Sequence, residues 1–249
     1  TRPDVSVMRL ALLGLGGTSI EWYDFLMYGL GSALVFPTLF FPHTLSHSVA
    51  LIGSFLTFAA GFVSRPIGGL LFGSIGDRIG RKQALAAALV LMGLATTAIA
   101  CLPGYAMIGS AAPVLLVLLR VLQGLAIGGQ WGGAVLLVLE SAPGGQRGFY
   151  SSFAQMGAPV GIVLANLAFL AAGAVTTPEE FMAWGWRLPF AVSVLLIGFG
   201  LYVHFRVEET AAYRELMRTR REVRPRTGAP LLEAVRKHPR EITLATISQ

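Results

Sequence analysis

Gly73-Ser-Ile-Gly-Asp77-Arg78-Ile-Gly80-Arg81-Lys82 stands between two long uncharged stretches: residues 25–64 and residues 83–119 contain no Asp, Glu, Lys or Arg. A short, glycine-rich cationic turn between two such stretches suits a chain that crosses a bilayer repeatedly, with the turn held on the cytoplasmic face. Composition agrees: 54% of residues are hydrophobic and 13% charged, against about 25% charged in an ordinary soluble domain. Mean hydropathy is +0.66. The 30 glycines suit helices that approach closely in lipid through small residues.

Working outward from the turn, spans are expected at 10–35, 49–73, 83–103, 113–139, 149–173 and 187–206. The connections at 36–48 and 104–112 carry no charge, and 174–186 carries only Glu179 and Glu180. The alternate connections hold Arg2 and Arg9, then Arg78, Arg81 and Lys82, then Arg147, then a basic stretch from Arg206. Such segregation places the N-terminus and residues 207–240 in the cytoplasm. Ten of the 19 basic residues lie between Arg206 and Arg240. The net charge of +6 is therefore read as juxtamembrane bias rather than a nucleic-acid surface.

The expected organisation is a six-helix transmembrane bundle over 1–206, a basic cytoplasmic linker over 207–240, and the start of a truncated seventh span at 241–249. The segment Leu231–Pro239 reads as a short amphipathic helix on the membrane surface. Leu10–Ile20 has the look of a signal peptide, but Glu21-Trp-Tyr-Asp24 leads into further apolar sequence with no small-residue cleavage pattern, so it reads as a retained first span. The single Cys101 allows no intramolecular disulfide and no cysteine metal site.

The decisive turn, preceded by Arg65-Pro-Ile-Gly-Gly69, resembles the loop 2–3 signature of the major facilitator superfamily, in its metabolite:proton symporter branch. Further stretches agree in order: Glu21-Trp-Tyr-Asp24-Phe25; Arg120-x-x-Gln123-Gly124 through Gly128-Gly129-Gln130-Trp131-Gly-Gly133; Glu140-x-x-Pro143-x3-Arg147-Gly148; and Trp186-Arg187-x-Pro189-Phe190. Gly17-Thr18 and Leu39-Phe-Phe-Pro42 are most similar to the shikimate-transporter type. The resemblance implies an all-α membrane protein, the N-terminal six helices of a twelve-helix fold. It also implies a partner in the C-terminal six-helix half of the same protein and a place in a bacterial inner membrane. Position 130 carries Gln where the motif usually has Glu, and Thr18 replaces a common Asn.

Glu21 and Asp24 lie three apart and share a helix face. Ionised carboxylates among lipid tails are costly, so both are expected to turn inward, and two so close do not readily ionise together, a disposition suited to reversible protonation. Arg120 is the only charge in its span, and its planar fork suits a carboxylate, whether of substrate or of span 1. Gln123 lies one turn along the same face. With Tyr23, Gln130 and Asn166 these are the candidate substrate or proton-coupling residues. Gln130 and Asn166 also suit interhelical hydrogen bonds. For Gly73, Asp77, Arg78, Gly80 and Arg81 the resemblance implies a cytoplasmic gate, with Glu140 and Arg147 on the same face. A carboxylate at a positive helix end is stabilised by roughly 0.3–1 kcal/mol, enough to tilt a two-state equilibrium. Gly69 and Gly73, and Gly157 and Gly161, have the small-xxx-small spacing of close helix contacts, and Pro159 interrupts its helix ladder.

No nucleophile–base set, phosphate loop or metal-ligand spacing occurs; His43 and His47 are four apart in a charge-free loop with no third ligand. The expectation is a secondary transporter, not an enzyme and without cofactor or metal. It would move a small organic anion or zwitterion with protons across the lipid bilayer. Its alternatives are a non-transporting receptor or scaffold that keeps the fold, and a six-span protein working as a homodimer.

Overall fold

A computed structural model of the chain describes residues 4–141, 145–195, 197–198 and 202. The chain divides into two units, Thr1–Thr210 and Ala211–Gln249, and all the described helices belong to the first. The expected basic linker at 207–240 and the seventh span at 241–249 lie outside the described residues.

The order is α1 Asp4–Leu34, α2 Phe36–Leu39, α3 His47–Ile79, α4 Arg81–Ala100, α5 Tyr105–Ile108, α6 Ala111–Ser141, α7 Arg147–Ala174, α8 Pro178–Glu180, a π-helical turn Phe181–Gly185, and α9 Arg187–Ala191. No strand occurs among the described residues. Four stretches are long and apolar enough to cross a membrane: His47–Gly76, Gln83–Ala100, Ala111–Gly129 and Arg147–Ala174. α1 is as long as α6 at 31 residues, well beyond the ~20 that span the hydrocarbon, but Glu21 and Asp24 interrupt its apolar run. The sixth expected span is described as α9 and scattered helical positions to 202.

Two boundaries differ from expectation. The decisive stretch at 73–82 is not a turn along its length: α3 runs through Asp77 and Arg78 to Ile79, and α4 begins at Arg81. Gly80 alone breaks the helices, at φ +115°, a conformation that a Cβ would strain. Charged residues at the end of a span do not unwind it, because backbone bonding continues past the point where hydropathy falls. α1 likewise is already helical at Asp4, ahead of its apolar run.

Helix pairing follows the small residues. α3 and α6 run side by side in parallel, Gly61 against Gly124, Arg65 against Gly128 and Phe72 against Gly129. A Cβ on Gly128 would sit 2.0 Å from the Arg65 carbonyl, and one on Gly124 2.2 Å from the Gly61 carbonyl. α1 and α7 form a second parallel pair: a Cβ on Gly157 would lie 1.9 Å from Thr18 Oγ1, and one on Gly161 2.4 Å from the Ser19 carbonyl. The Thr18 hydroxyl donates to the Ala154 carbonyl at 2.7 Å, which ties the backbones further. Where lipid replaces water, van der Waals contact and interhelical hydrogen bonds hold helices together, and glycine gives backbones access to both. The 157/161 spacing does what was expected. The 69/73 spacing does so only in part: Gly69 faces the Gly128 carbonyl at 3.3 Å, Gly73 faces open space, and Gly61 and Gly68 make the close approaches. The face of α3 turned to α6 had the wrong phase for a 69/73 contact.

Away from Gly80, the opposite end of the bundle is closed by Tyr28, Phe36, Phe40, Trp186 and Phe190, all fully buried. Trp186 packs edge-on against Phe36, Phe40 and Phe190 at 5.7–5.9 Å between ring centres, contacts worth roughly 0.5–1.5 kcal/mol each beyond burial. The Trp186-Arg187 motif thus becomes structural. The indole fills the plug, and the Arg187 guanidinium donates to the Ala183 and Leu102 carbonyls. Glu180 caps its helix through a reciprocal pair of bonds with Thr177.

Candidate functional site

Within the apolar bundle, α1, α4 and α6 meet at four buried polar side chains: Asp24, Thr96, Arg120 and Gln123, none more than 1% exposed. The register that buries them is set by the α3–α6 and α1–α7 glycine contacts on either side. The Arg120 Nη1 donates to Gln123 Oε1 at 3.2 Å, and the Gln123 Nε2 donates to Asp24 Oδ2 at 3.0 Å. The same Nε2 donates to Thr96 Oγ1 at 2.6 Å, and Thr96 in turn donates to Asp24 Oδ1. Gln123 therefore bridges cation and anion. Its amide admits one orientation only, because a flip would aim N–H groups at the guanidinium and a carbonyl at the carboxylate.

Arg120 is also enclosed by aromatics. Its guanidinium carbon lies 4.3 Å from the centre of the Tyr28 ring, 4.8 Å from Phe58 and 5.8 Å from Phe25. Faces at such distances attract a cation, more strongly when water is absent. Tyr28 is held in place by a 2.7 Å bond to Thr57, whose own hydroxyl bonds the Ser54 carbonyl. Gly61 makes the room: a Cβ there would come within 2.5 Å of Arg120 Nε. Removing one member of a buried ion pair typically costs 3–5 kcal/mol, since the other charge is left uncompensated.

One turn nearer the start of α1, Glu21 is 8% exposed, and the cation that faces it is Arg65 of α3. The Arg65 guanidinium lies over Phe62 at 4.6 Å and Phe25 at 4.9 Å. Phe25 thus stands between two arginines, each opposite an acid of α1.

The structure unites Asp24, Arg120 and Gln123, and sets Glu21 beside them. Tyr23 is turned elsewhere: its hydroxyl donates to the Pro189 carbonyl at 2.8 Å, tying α1 to α9. Asn166 is exposed on α7, and its amide donates to Ile162 of its own helix. Gln130 lies on α6, Asp77 and Arg81 flank the α3–α4 junction, and Glu140 lies in the last turn of α6, but their side chains fall outside the described residues. Gly73, Arg78 and Arg147 are exposed and Gly80 is buried. Arg147 opens α7. Missed from the sequence were Thr96, an ordinary hydroxyl in an apolar run, and Arg65, which was weighed only as part of a motif.

Residues 11–240 match the family described as sugar (and other) transporter. The chain belongs to that family, within the major facilitator superfamily. It is 44% identical over 238 residues to the inner membrane metabolite transport protein YhjE of Escherichia coli K12, covering 96% of this chain and 53% of that one. It is 42% identical to the shikimate transporter of the same organism, covering 96% and 55%, in keeping with the branch that the motifs suggested. The proline/betaine transporter of Salmonella typhimurium LT2 is 39% identical, with 80% of this chain and 39% of that one covered. The chain thus spans about half the length of the curated relatives it matches. Among solved structures, the proton:xylose symporter XylE bound to 6-bromo-6-deoxy-D-glucose superposes with a TM-score of 0.74 at 21% identity, covering 88% of this chain and 48% of that one. The inward-open form of the E. coli xylose transporter gives 0.69 at 20%. These likenesses establish the fold, the N-terminal half of the twelve-helix architecture. The matched relatives are transport proteins, not enzymes.

Proposed function

We propose that this chain is the N-terminal half of a secondary active transporter that carries a small organic acid or zwitterion together with protons by alternating access. Asp24 carries the proton and Arg120 is its countercharge. The observation that supports this most is the bridge Arg120–Gln123–Asp24, in which a wholly buried acid and base are joined through a neutral amide. When Asp24 gains a proton, Arg120 keeps the Gln123 oxygen and the aromatic faces around it, which lowers the cost of the unpaired cation. The names of the relatives, a shikimate transporter and a proline/betaine transporter, support a carboxylate-bearing substrate, as does the guanidinium of Arg120. Glu21, opposite Arg65, forms a second acid–base layer that precedes Asp24 along α1. Asp77, at the α3–α4 junction, belongs to a cytoplasmic gate with Arg78, Arg81, Glu140 and Arg147. The N-terminus and the 207–240 linker lie in the cytoplasm of a bacterial cell, and the second six-helix half completes the substrate cavity.

The test is uptake by the full-length protein in proteoliposomes across shikimate, 2-oxoglutarate, citrate, proline and betaine, with and without an imposed pH gradient. Asp24→Asn is expected to abolish uphill accumulation and to leave downhill exchange in place; Arg120→Ala is expected to weaken carboxylate binding. Undiminished accumulation by both Asp24→Asn and Glu21→Gln would remove proton coupling from this half. No uptake of any of the five would count against the substrate class.

A further inference from the structure

Thr96 is the one member of the buried network that carries neither charge nor amide, yet it has more neighbours than a single hydroxyl hydrogen can serve. Its Oγ1 accepts from Gln123 Nε2 at 2.6 Å, lies in hydrogen-bond contact with Asp24 Oδ1, and lies 3.0 Å from the Met92 carbonyl of its own helix. A hydroxyl offers one donor and two acceptor sites, so Asp24 and Met92 compete for one hydrogen. From these contacts the geometry points to Thr96 as a positioning residue that serves Asp24 in both of its protonation states, its hydrogen turning between the carboxylate and the Met92 carbonyl.

With Asp24 ionised, Thr96 donates to Oδ1, and Gln123 donates to both Oδ2 and the Thr96 oxygen. When a proton arrives at Oδ1, that oxygen becomes the donor. The Thr96 hydrogen turns to Met92, and its oxygen accepts from Asp24 and Gln123 at once. The polar atoms of Asp24, Thr96 and the Gln123 amide all keep partners in each state, by the turning of one hydrogen. At a site as deeply buried as this, an unserved donor or acceptor in one state would disfavour that state. Isosteric valine serves neither state, whereas serine serves both.

The charged and titratable groups around Asp24 are few. α1 contributes Glu21, Tyr23 and, against Arg120, Tyr28, and α6 contributes Arg120. Arg65 of α3 stands against Glu21, and neither α4 over 83–100 nor α7 over 148–174 carries a charge. Among the described side chains of α4, Thr96 is the one that bonds Asp24.

This inference rests on the proton-carrying role proposed for Asp24, and the experiment separates the two. The full-length protein in lipid nanodiscs is titrated by infrared difference spectroscopy, and the carboxyl C=O stretch of protonated Asp24 is identified by its loss in Asp24→Asn. In Thr96→Val the band is expected at higher wavenumber, because the carboxyl O–H at Oδ1 loses the oxygen it donates to and only the Gln123 bond to Oδ2 remains. The titration midpoint is expected to be displaced by about half to one pH unit, from the difference between a charge-assisted and a neutral hydrogen bond. Thr96→Ser should keep both band and midpoint; should Thr96→Val not fold, Thr96→Ala carries the same expectation. Thr96→Val with an unmoved band and midpoint, or Thr96→Ser shifted as far as valine, overturns the positioning role alone. No Asp24-dependent carboxyl band at any pH overturns the proton-carrying role, and this inference with it.

Discussion

Gly61→Ala tests whether the enclosure of Arg120 is as tight as its contacts imply. The new Cβ would lie 2.5 Å from Arg120 Nε, 3.1 Å from Cδ and 3.2 Å from Cγ. To restore ordinary carbon–nitrogen contact the guanidinium must retreat by about 1 Å. It has nowhere open to go, being 1% exposed and ringed by Tyr28, Phe58 and Phe25. A retreat of that size takes the 3.2 Å bond to Gln123 out of hydrogen-bond range. Losing a bond to a charged group costs roughly 1.5–3 kcal/mol, and overpacking adds about 1–3 kcal/mol. Alanine returns about 1 kcal/mol of helix propensity. A net destabilisation of about 1.5–5 kcal/mol is expected from those terms. Gly29→Ala is the comparator: it makes the same change within a helix, but its Cβ would meet Phe58 at an unstrained 3.9 Å, so it should be neutral or stabilising. Equilibrium unfolding of both variants in mild detergent measures the difference, and uptake shows whether Arg120 still serves. If Gly61→Ala is as stable as Gly29→Ala and transports at the parent rate, Arg120 is not confined and the bridge to Asp24 does not depend on its position.

Tyr23→Phe removes the bond to the Pro189 carbonyl and should cost about 1 kcal/mol of unfolding free energy without altering substrate affinity; a changed KM with unchanged stability would return Tyr23 to the substrate site. Asp77→Asn should shift inward against outward accessibility, read by cysteine alkylation along α3, and slow transport while leaving membrane insertion intact. Wild-type rate and accessibility would remove Asp77 from any gate. Thr219→Cys should react with an impermeant maleimide only in inverted vesicles; labelling in intact cells reverses the topology.

Charge placement made the spans legible, because Lys and Arg, with Arg65 and Arg120 as the interior exceptions, gather in alternate connections. The helix ends were less so, since hydropathy reports where lipid ends and not where backbone bonding ends; hence α3 continuing through Asp77 to Ile79. Asp24, Arg120 and Gln123 stood out as polar groups in apolar spans, where each requires a partner. Thr96 did not. A threonine in a membrane helix ordinarily bonds its own backbone, as Thr97 does to the Gly93 carbonyl, and only the neighbour across the contact distinguishes the two. Glycine spacing showed that close contacts exist, but their phase depends on which face meets which helix. That is why Gly61 rather than Gly73 became the contact that matters.

The two glycine-packed pairs differ in kind from the joint between them. Within α1–α7 and α3–α6, backbone lies on backbone, and displacement by even a fraction of an ångström meets carbonyl oxygens. Between the pairs the polar contacts involve side chains: Asp24 to Gln123, Tyr28 to Thr57, and Ser54 to the Ser32 carbonyl. Hydrogen bonds to an ionised group are about twice as strong as neutral ones, so a proton at Asp24 loosens the joint and not the pairs. Nitroxides at the exposed Leu34, Val114 and Leu170 should therefore respond differently in Asp24→Asn. The Leu34–Leu170 distance, within the α1–α7 pair, is expected to stay fixed, and the Leu34–Val114 distance, across the joint, to shift or broaden. If the first changes and the second holds, the glycine pairs are not the rigid bodies of this half, and charge at Asp24 acts elsewhere than between them.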